Sequence, residues 1–409
     1  MIKKMGQILL ALLLLILLIG AFKYKTLKRL YTAIHLFDKE VIIDNFRNID
    51  AHFDVARLTA APNKVVYPKQ LGFQLPDSFQ TNNKSYDTEA FLTENQMEGL
   101  MIIYKDTIVY EKYSLGLQPN DTHISWSVAK SIVSTLLGIA HDNGLFNLED
   151  PITNYLPQFK GTGYDNVRIL DILQMSSGVG FNEDYGDFNS DINRFGRTFA
   201  LGSSFEDFAK SLKNERPPGT YHHYVSIDTQ VLGMLLKKVT GKSLTSYYEE
   251  KLWNPLGMQD NGEWAIDKTG MELALGGLNM TLRDYAKIGQ LYLHKGVFNG
   301  KRIVSEEWVE KATTPSAPHL APGLRDNTSH YQGYGYQWWI PLNDEGDFFA
   351  AGIYDQYIYI QPSKDLVITM LSANYHFKTR VRVGERMHVA LFKEVARQFP
   401  NSDTLNIQQ

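Results

Sequence analysis

Ser127 and Lys130 stand three residues apart in HISWSVAKSIVS, residues 123 to 134, where a polar loop gives way to an apolar run. A serine hydroxyl becomes a nucleophile when a neighbouring base takes its proton, and a neutral lysine can be that base. In a helix, positions i and i+3 share a face, so Lys130 can lean over Ser127. A serine at a helix N-terminus also sits among backbone N–H groups that favour a developing oxyanion. The competing reading is structural: Ser127 caps the helix and Lys130 reaches out to water. This is the only Ser-x-x-Lys in the 409-residue chain, yet the spacing alone does not separate nucleophile from cap.

A second candidate is RPPGTYHHYVSIDTQVLG, residues 216 to 233. A Pro-Pro-Gly turn delivers a short extended piece, and Val231, Leu232, Leu235 and Leu236 mark a helix after it. Tyr224 and Ser226 then share one face of the extended piece. Tyr224 can take a proton only if a cation such as Lys130 lowers its pKa from about 10; otherwise it is one of 23 tyrosines, packed at a lobe boundary. His222 and His223 point to opposite faces of such a strand and lack a His-Glu-x-x-His partner, so neither a metal nor a cofactor is expected. The third candidate is FFAAGIYDQYIYIQP, residues 348 to 362, where Ala350, Ala351 and Gly352 leave a bare stretch that a substrate or another backbone can approach. Serine-elbow, phosphate-loop and complete dinucleotide-binding motifs are absent from the sequence.

The elements that must position these residues follow from periodicity. GLMIIYKDTIVYEKY, residues 99 to 113, reads as a hairpin, and Ile132, Val133, Leu136, Leu137 and Ile139 predict a buried helix behind Ser127. Residues 145 to about 300 read as mostly helical, and strands return at 334–342, 348–362 and 365–374 before a closing helix over 380–399. Two early strands, three late ones and helices between them predict an α/β protein of α+β type. Its mainly antiparallel central sheet is flanked by helices, closed by both chain ends, and interrupted by an all-helical lobe.

The expected organisation is a segment 1–29, a juxtamembrane stretch and extended arm over 30–96, a catalytic domain over 97–400 with the lobe at about 145–300, and a tail 401–409. The apolar run from Met5 to Phe22, between Lys3 and Lys4 on one side and Lys23, Lys25, Lys28 and Arg29 on the other, is close to the shortest helix that spans a bilayer, roughly 17 to 25 residues. It predicts a single N-terminal anchor in the cytoplasmic membrane, with secretion after signal cleavage as the alternative. The basic residues after the run favour a cytoplasmic body. A net charge of -4 gives no basic surface for nucleic acid, and no cysteine is present to serve as nucleophile, metal ligand or disulfide.

Ser-x-x-Lys, Tyr-x-Ser and a small-x-Gly strand, in that order, resemble the penicillin-recognising serine hydrolases. SVAKSIVSTLLGIAHDNGLFNLEDPITNYLP, ILQMSSGVG, PPGTYHHY and ALGGLNMTLRDYAKIGQLYL extend the likeness over roughly residues 97 to 395. They look like the class C β-lactamase-type branch and its esterase and 6-aminohexanoate-dimer hydrolase members. The resemblance implies a β-lactamase/transpeptidase-like fold and an acyl-enzyme on Ser127, with Lys130 and Tyr224 sharing the proton work, either one being the base. It implies an oxyanion hole from the backbone N–H groups of Ser127 and Ile353, and substrate contacts from Ser226, Gly352, Tyr354, Trp338 and Trp339. It departs from β-lactamases and cell-wall peptidases at Ser226, where Asn is usual, and at Ala350, where a Lys or His cation holds a substrate carboxylate. Asp355, before the Gln of that strand, is a further oddity. The implied substrate is a small amide or ester, and the export habit of this family implies a periplasmic or otherwise extracytoplasmic body, against the charge count. A β-lactamase or D,D-carboxypeptidase, and a non-catalytic binding protein on the same fold, are the alternatives.

Overall fold

The computed structural model describes residues 2–342 and 345–402, with side chains described except at 2–3, 11–22 and 380–382. LVITMLS, Leu366–Ser372, is apolar at nearly every position and buried throughout, as a strand covered on both faces must be. It pairs antiparallel with Gln356–Gln361 on one side and Met97–Tyr104 on the other. The full sheet has seven antiparallel strands in the order Gly333–Tyr334, Trp339–Ile340, Phe348–Gly352, Gln356–Gln361, Leu366–Ser372, Met97–Tyr104 and Thr107–Tyr113. Both ends of the domain therefore meet at its centre, as the sequence predicts.

Alternation along the strands assigns the covering helices. Ile358 and Val367 face the helix Leu282–Leu293, where a Cβ at Gly289 would lie 2.5 Å from Val367 Cγ1 and 2.9 Å from Ile358 Cγ2. Only a residue without a side chain lets the helix settle that deep. Tyr357 and Tyr359 point the other way, onto Phe392 of the helix Phe377–Arg397 at 5.4 and 5.5 Å between ring centroids.

The lobe between the early and late strands holds Ile169–Leu173, Asp191–Ala200, Phe205–Ser211, Ser226–Thr240 and Leu244–Tyr248. Beside it lies a second antiparallel sheet that the sequence does not predict, in the order Val55–Leu58, Gly262–Ala265, Leu278–Met280 and His123–Ile124. Strands of two to four residues are too short to display a period of two. This small sheet matters because its edge strand His123–Ile124 leads directly to Ser127.

A buried ion pair ties that edge to the large sheet. Glu98, fully buried, accepts from Arg47 Nε at 2.7 Å and again from Arg47 Nη2, while His123 Nε2 lies 3.3 Å from its other oxygen. Arg47→Ala leaves the buried Glu98 carboxylate with only the His123 ring nitrogen beside it, and urea unfolding should show a loss of about 3–5 kcal/mol. A loss within the range of an exposed pair would mean that water reaches Glu98 freely.

The N-terminal helix runs Ile2–His35 and corrects the expected anchor. Among the described residues no helix is long and apolar enough to cross a membrane; the side chains of residues 11–22, within the apolar run, lie outside the described residues. The helix does not stop where the run stops. It continues through Lys23, Lys25, Lys28 and Arg29, and its last turns join the folded body: Leu30 and Ala33 pack on the core, and Arg29 pairs with Asp54. A single N-terminal anchor, the cytoplasmic-membrane location and the membrane contact drawn from it are therefore not supported. Of the expected tail, residues 403–409 lie outside the described residues.

Candidate active site

The small sheet hands the chain to Ser125, whose N–H donates to Leu278 O at 3.0 Å. Trp126 follows with φ +46°, a left-handed conformation uncommon for a residue with a side chain and typical of a turn held by its surroundings. This turn places Ser127 at the N-terminus of the helix Val128–Asp142, where its side chain makes no capping bond. Lys130 Nζ lies 2.8 Å from Ser127 Oγ and donates to Leu275 O at 2.6 Å. Lys130 is 1% exposed. Burial, opposed only by the Glu183 carboxylate, brings its pKa down to about 7.

Tyr224 completes the contact from the opposite side. Its ring centroid lies 5.3 Å from Lys130 Nζ, and its hydroxyl feels the Ser127 side chain. Burial, reinforced by Glu183, pushes the phenol well above its ordinary range although Ser127 pulls it down. The ring of Trp339 stacks on Tyr224 at 5.3 Å and fixes it from behind.

Ser226 opens the helix Ser226–Thr240 and is engaged by a residue that the sequence reading did not single out. Glu183 accepts from Ser226 Oγ at 2.5 Å, from Ser226 N–H at 3.1 Å and from the Tyr185 hydroxyl at 2.5 Å. Glu183 sits in a loop without periodicity, so only the three-dimensional contact with Ser226 could have found it. Its charge holds the Lys130 pKa above where burial alone would leave it. Glu183→Gln should therefore move the midpoint of the kcat/KM profile to lower pH, because Lys130 then loses its proton sooner; an unmoved midpoint would detach Glu183 from Lys130.

The third candidate stretch presses against the nucleophile turn. A Cβ on Gly352 would lie 2.3 Å from Ser125 O, so no other residue allows the strand Phe348–Gly352 to approach so closely. The hairpin turns through Ile353, Tyr354 (φ +62°) and Asp355 (φ +70°), with Gly352 opposite Gln356. Asp355 accepts from Asn374 Nδ2 at 2.6 Å, and Gln356 Nε2 donates to Tyr354 O at 2.9 Å and Ser372 O at 2.6 Å. These bonds lock the turn that carries the Ile353 N–H.

Ser127, Ser226 and Ile353 line one cavity of about 250 Å3. Four other residues singled out in the sequence stand elsewhere. Tyr354 is buried, stacked on Phe37 at 4.4 Å, and Gly352 lies at the strand contact just described. Trp339 backs Tyr224, whereas Trp338 points the opposite way, into Tyr292 at 4.3 Å and Phe348 at 5.5 Å. Trp338 stands just before the strand Trp339–Ile340 and its ring has different partners, so the two tryptophans do not wall one cleft together.

A beta-lactamase family model matches residues 88–391. The chain belongs to the beta-lactamase family. It is 29% identical over 295 residues to the 6-aminohexanoate-dimer hydrolase of Paenarthrobacter ureafaciens, across 70% of this chain and 75% of that protein. The solved structure "Putative 6-aminohexanoate-dimer hydrolase from Bacillus anthracis" superposes with a TM-score of 0.79 at 23% identity, over 90% of this chain and 97% of that one. "EstCE1, a hydrolase with promiscuous acyltransferase activity" superposes at 0.60 with 13% identity, over 76% and 96%. At these identities the two structures speak for the fold alone. The beta-lactamase span contains Ser127, Lys130, Tyr224, Ser226 and Ile353, while Ala33, Ile34 and Phe37, which also line the cavity, lie ahead of it.

Proposed function

We propose that this beta-lactamase-family protein hydrolyses an amide or ester through an acyl-enzyme on Ser127, with neutral Lys130 as the general base. The observation that carries this reading is the 2.8 Å contact between Lys130 Nζ and Ser127 Oγ inside a buried site. The sequence left two bases open; the depressed lysine and the elevated tyrosine favour Lys130 and disfavour a Tyr224 phenolate. Lys130 Nζ takes the Oγ proton while Oγ bonds to the substrate carbonyl carbon. The resulting oxyanion accepts from the N–H groups of Ser127 and Ile353, and loss of one such donor typically costs about 3 kcal/mol. The proton then passes from the Lys130 ammonium, with the Tyr224 hydroxyl beside it, to the departing nitrogen or oxygen. Water, deprotonated at the same lysine, adds to the acyl carbon; the bond from that carbon to Oγ then breaks as the Lys130 ammonium returns the proton to Oγ, releasing the acid, free Ser127 and neutral Lys130.

The substrate class follows from what the site lacks. Ala350 is fully buried and offers no cation, and the Glu183 carboxylate stands beside Ser226 at the cavity. Both features disfavour a β-lactam or a peptide terminus bearing a carboxylate. Likeness to a 6-aminohexanoate-dimer hydrolase supports a non-peptide amide, and an ester is the more reactive substrate of the same machinery. Purified protein tested against p-nitrophenyl esters, short amides and a chromogenic β-lactam should turn over the first two in preference. Efficient β-lactam turnover alone would reverse the substrate assignment.

A further inference from the structure

Beyond Ser127 the cavity runs away from Lys130 and Tyr224, neither of which lines it, and passes between the N-terminal helix and the helix Asp191–Ala200. Its walls are Ala33, Phe37, Phe53, Phe195, Phe199 and Leu275. Phe53 and Phe199 stack at 4.9 Å, so the aromatic wall is rigid. Of the polar side chains on the lining, the Trp126 indole N–H, next to Ser127, is buried without a partner, and most of the others are engaged elsewhere. Asn193 Nδ2 donates to Asp187 O at 2.8 Å and Tyr185 O at 3.2 Å. Arg197 donates to Phe188 O at 2.6 Å and lies 3.8 Å from the centroid of the Phe188 ring. Ser226 and Tyr185 are spent on Glu183, and Lys378, exposed at the rim, lies 5.5 Å from the Phe37 ring centroid. A substrate group entering here meets a mainly apolar lining whose free donors are the Trp126 N–H beside Ser127 and Lys378 at the rim, so the stretch between them suits hydrocarbon and penalises a charge placed along it.

Resting on the hydrolase reading above, we propose that this cavity binds an unbranched apolar acyl chain, making the protein selective for medium-chain acyl esters or amides over short or charged ones. The side of the scissile bond follows from placement. The acyl carbon stays on Ser127, which lines the cavity, whereas the leaving group must lie toward Lys130 and Tyr224, which do not. The N-terminal helix supplies part of the wall, so it has a role in recognition as well as in packing.

Two measurements on the full chain test this. The first is binding of acyl 4-nitroanilides, acetyl through decanoyl, to Ser127→Ala by calorimetry, where affinity should rise about fourfold per added methylene until the cavity is full. The second is kcat/KM of the wild type across p-nitrophenyl acetate to dodecanoate, which should rise along the same series. Gly196 lines the cavity and has nothing within 4 Å of a built Cβ, so Gly196→Leu narrows the space without backbone strain. It should cost decanoyl binding at least about tenfold more than acetyl binding, three lost methylene contacts being ample for that. Equal affinity for acetyl and decanoyl anilides overturns the inference whether or not esters are hydrolysed. Chain-dependent binding without any ester turnover upholds the cavity and sinks the hydrolase reading. A chain-length rise confined to alkyl acetates, with the chain on the leaving group, overturns the acyl assignment.

Discussion

Ser127→Ala should abolish both covalent labelling by a fluorophosphonate and turnover of p-nitrophenyl esters, while leaving the fold intact. The loss should exceed the roughly 10²–10⁴-fold that removal of a general base costs, because the other serine hydroxyl on the cavity, Ser226, donates to Glu183 and has no lysine hydrogen-bonded to it among the described residues. Ser127 makes no helix-capping bond, so the usual penalty of about 1 kcal/mol for deleting a cap does not apply. Unfolding midpoints of the two proteins should therefore nearly coincide. A variant that still labels or still hydrolyses would move the nucleophile to another residue.

Lys130 separates catalysis from stability. Lys130→Met should lower kcat/KM by about 10²–10⁴-fold and, near neutral pH, make the protein more stable. The lysine has a pKa of about 7 in the fold against 10.5 when free, which corresponds to a penalty on the order of 4 kcal/mol at pH 7. Leaving Leu275 O without its donor costs about 1–3 kcal/mol, so the net gain should be roughly 1–3 kcal/mol. The sign fixes the pH dependence. The unfolded chain binds the extra proton between pH about 7 and 10.5, so wild-type stability rises with pH across that window. The advantage of the methionine variant is thus full below pH about 7 and shrinks above it. Equal stability at all pH values would mean that Lys130 is hydrated in the native state.

What the sequence made legible was the part encoded by strong local pattern. Ser127 and Lys130 share a helix, Tyr224 follows a Pro-Pro-Gly turn, and the bare strand ends at Gly352, whose contact with Ser125 O explains why a side chain is missing there. The antiparallel sheet was legible because its central strands are continuously apolar. Glu183 was not, since its role arises from a contact with Ser226 across 43 residues of chain. The small sheet was hidden because its strands are too short to show a period.

The N-terminal helix departs from its local pattern for a different reason. An apolar run flanked by lysines has the local pattern of an anchor, but the decisive residues lie after it: Ala33 and Phe37 face the cavity, and Arg29 pairs with Asp54. Likewise the two tryptophans are adjacent in sequence, yet Trp339 goes to Tyr224 and Trp338 into the core. Tyr354 similarly turns away from the substrate space, its φ of +62° delivering the ring to Phe37.

The central claim is that a buried, neutral Lys130 activates Ser127, and the most direct test is the rate of fluorophosphonate labelling as a function of pH. Intact mass and peptide mapping should place one adduct on Ser127, formed at a rate that rises as a single titration with its midpoint near 7, the pKa of Lys130 in the fold. A rate flat with pH through that range, or an adduct on any other residue, would contradict it.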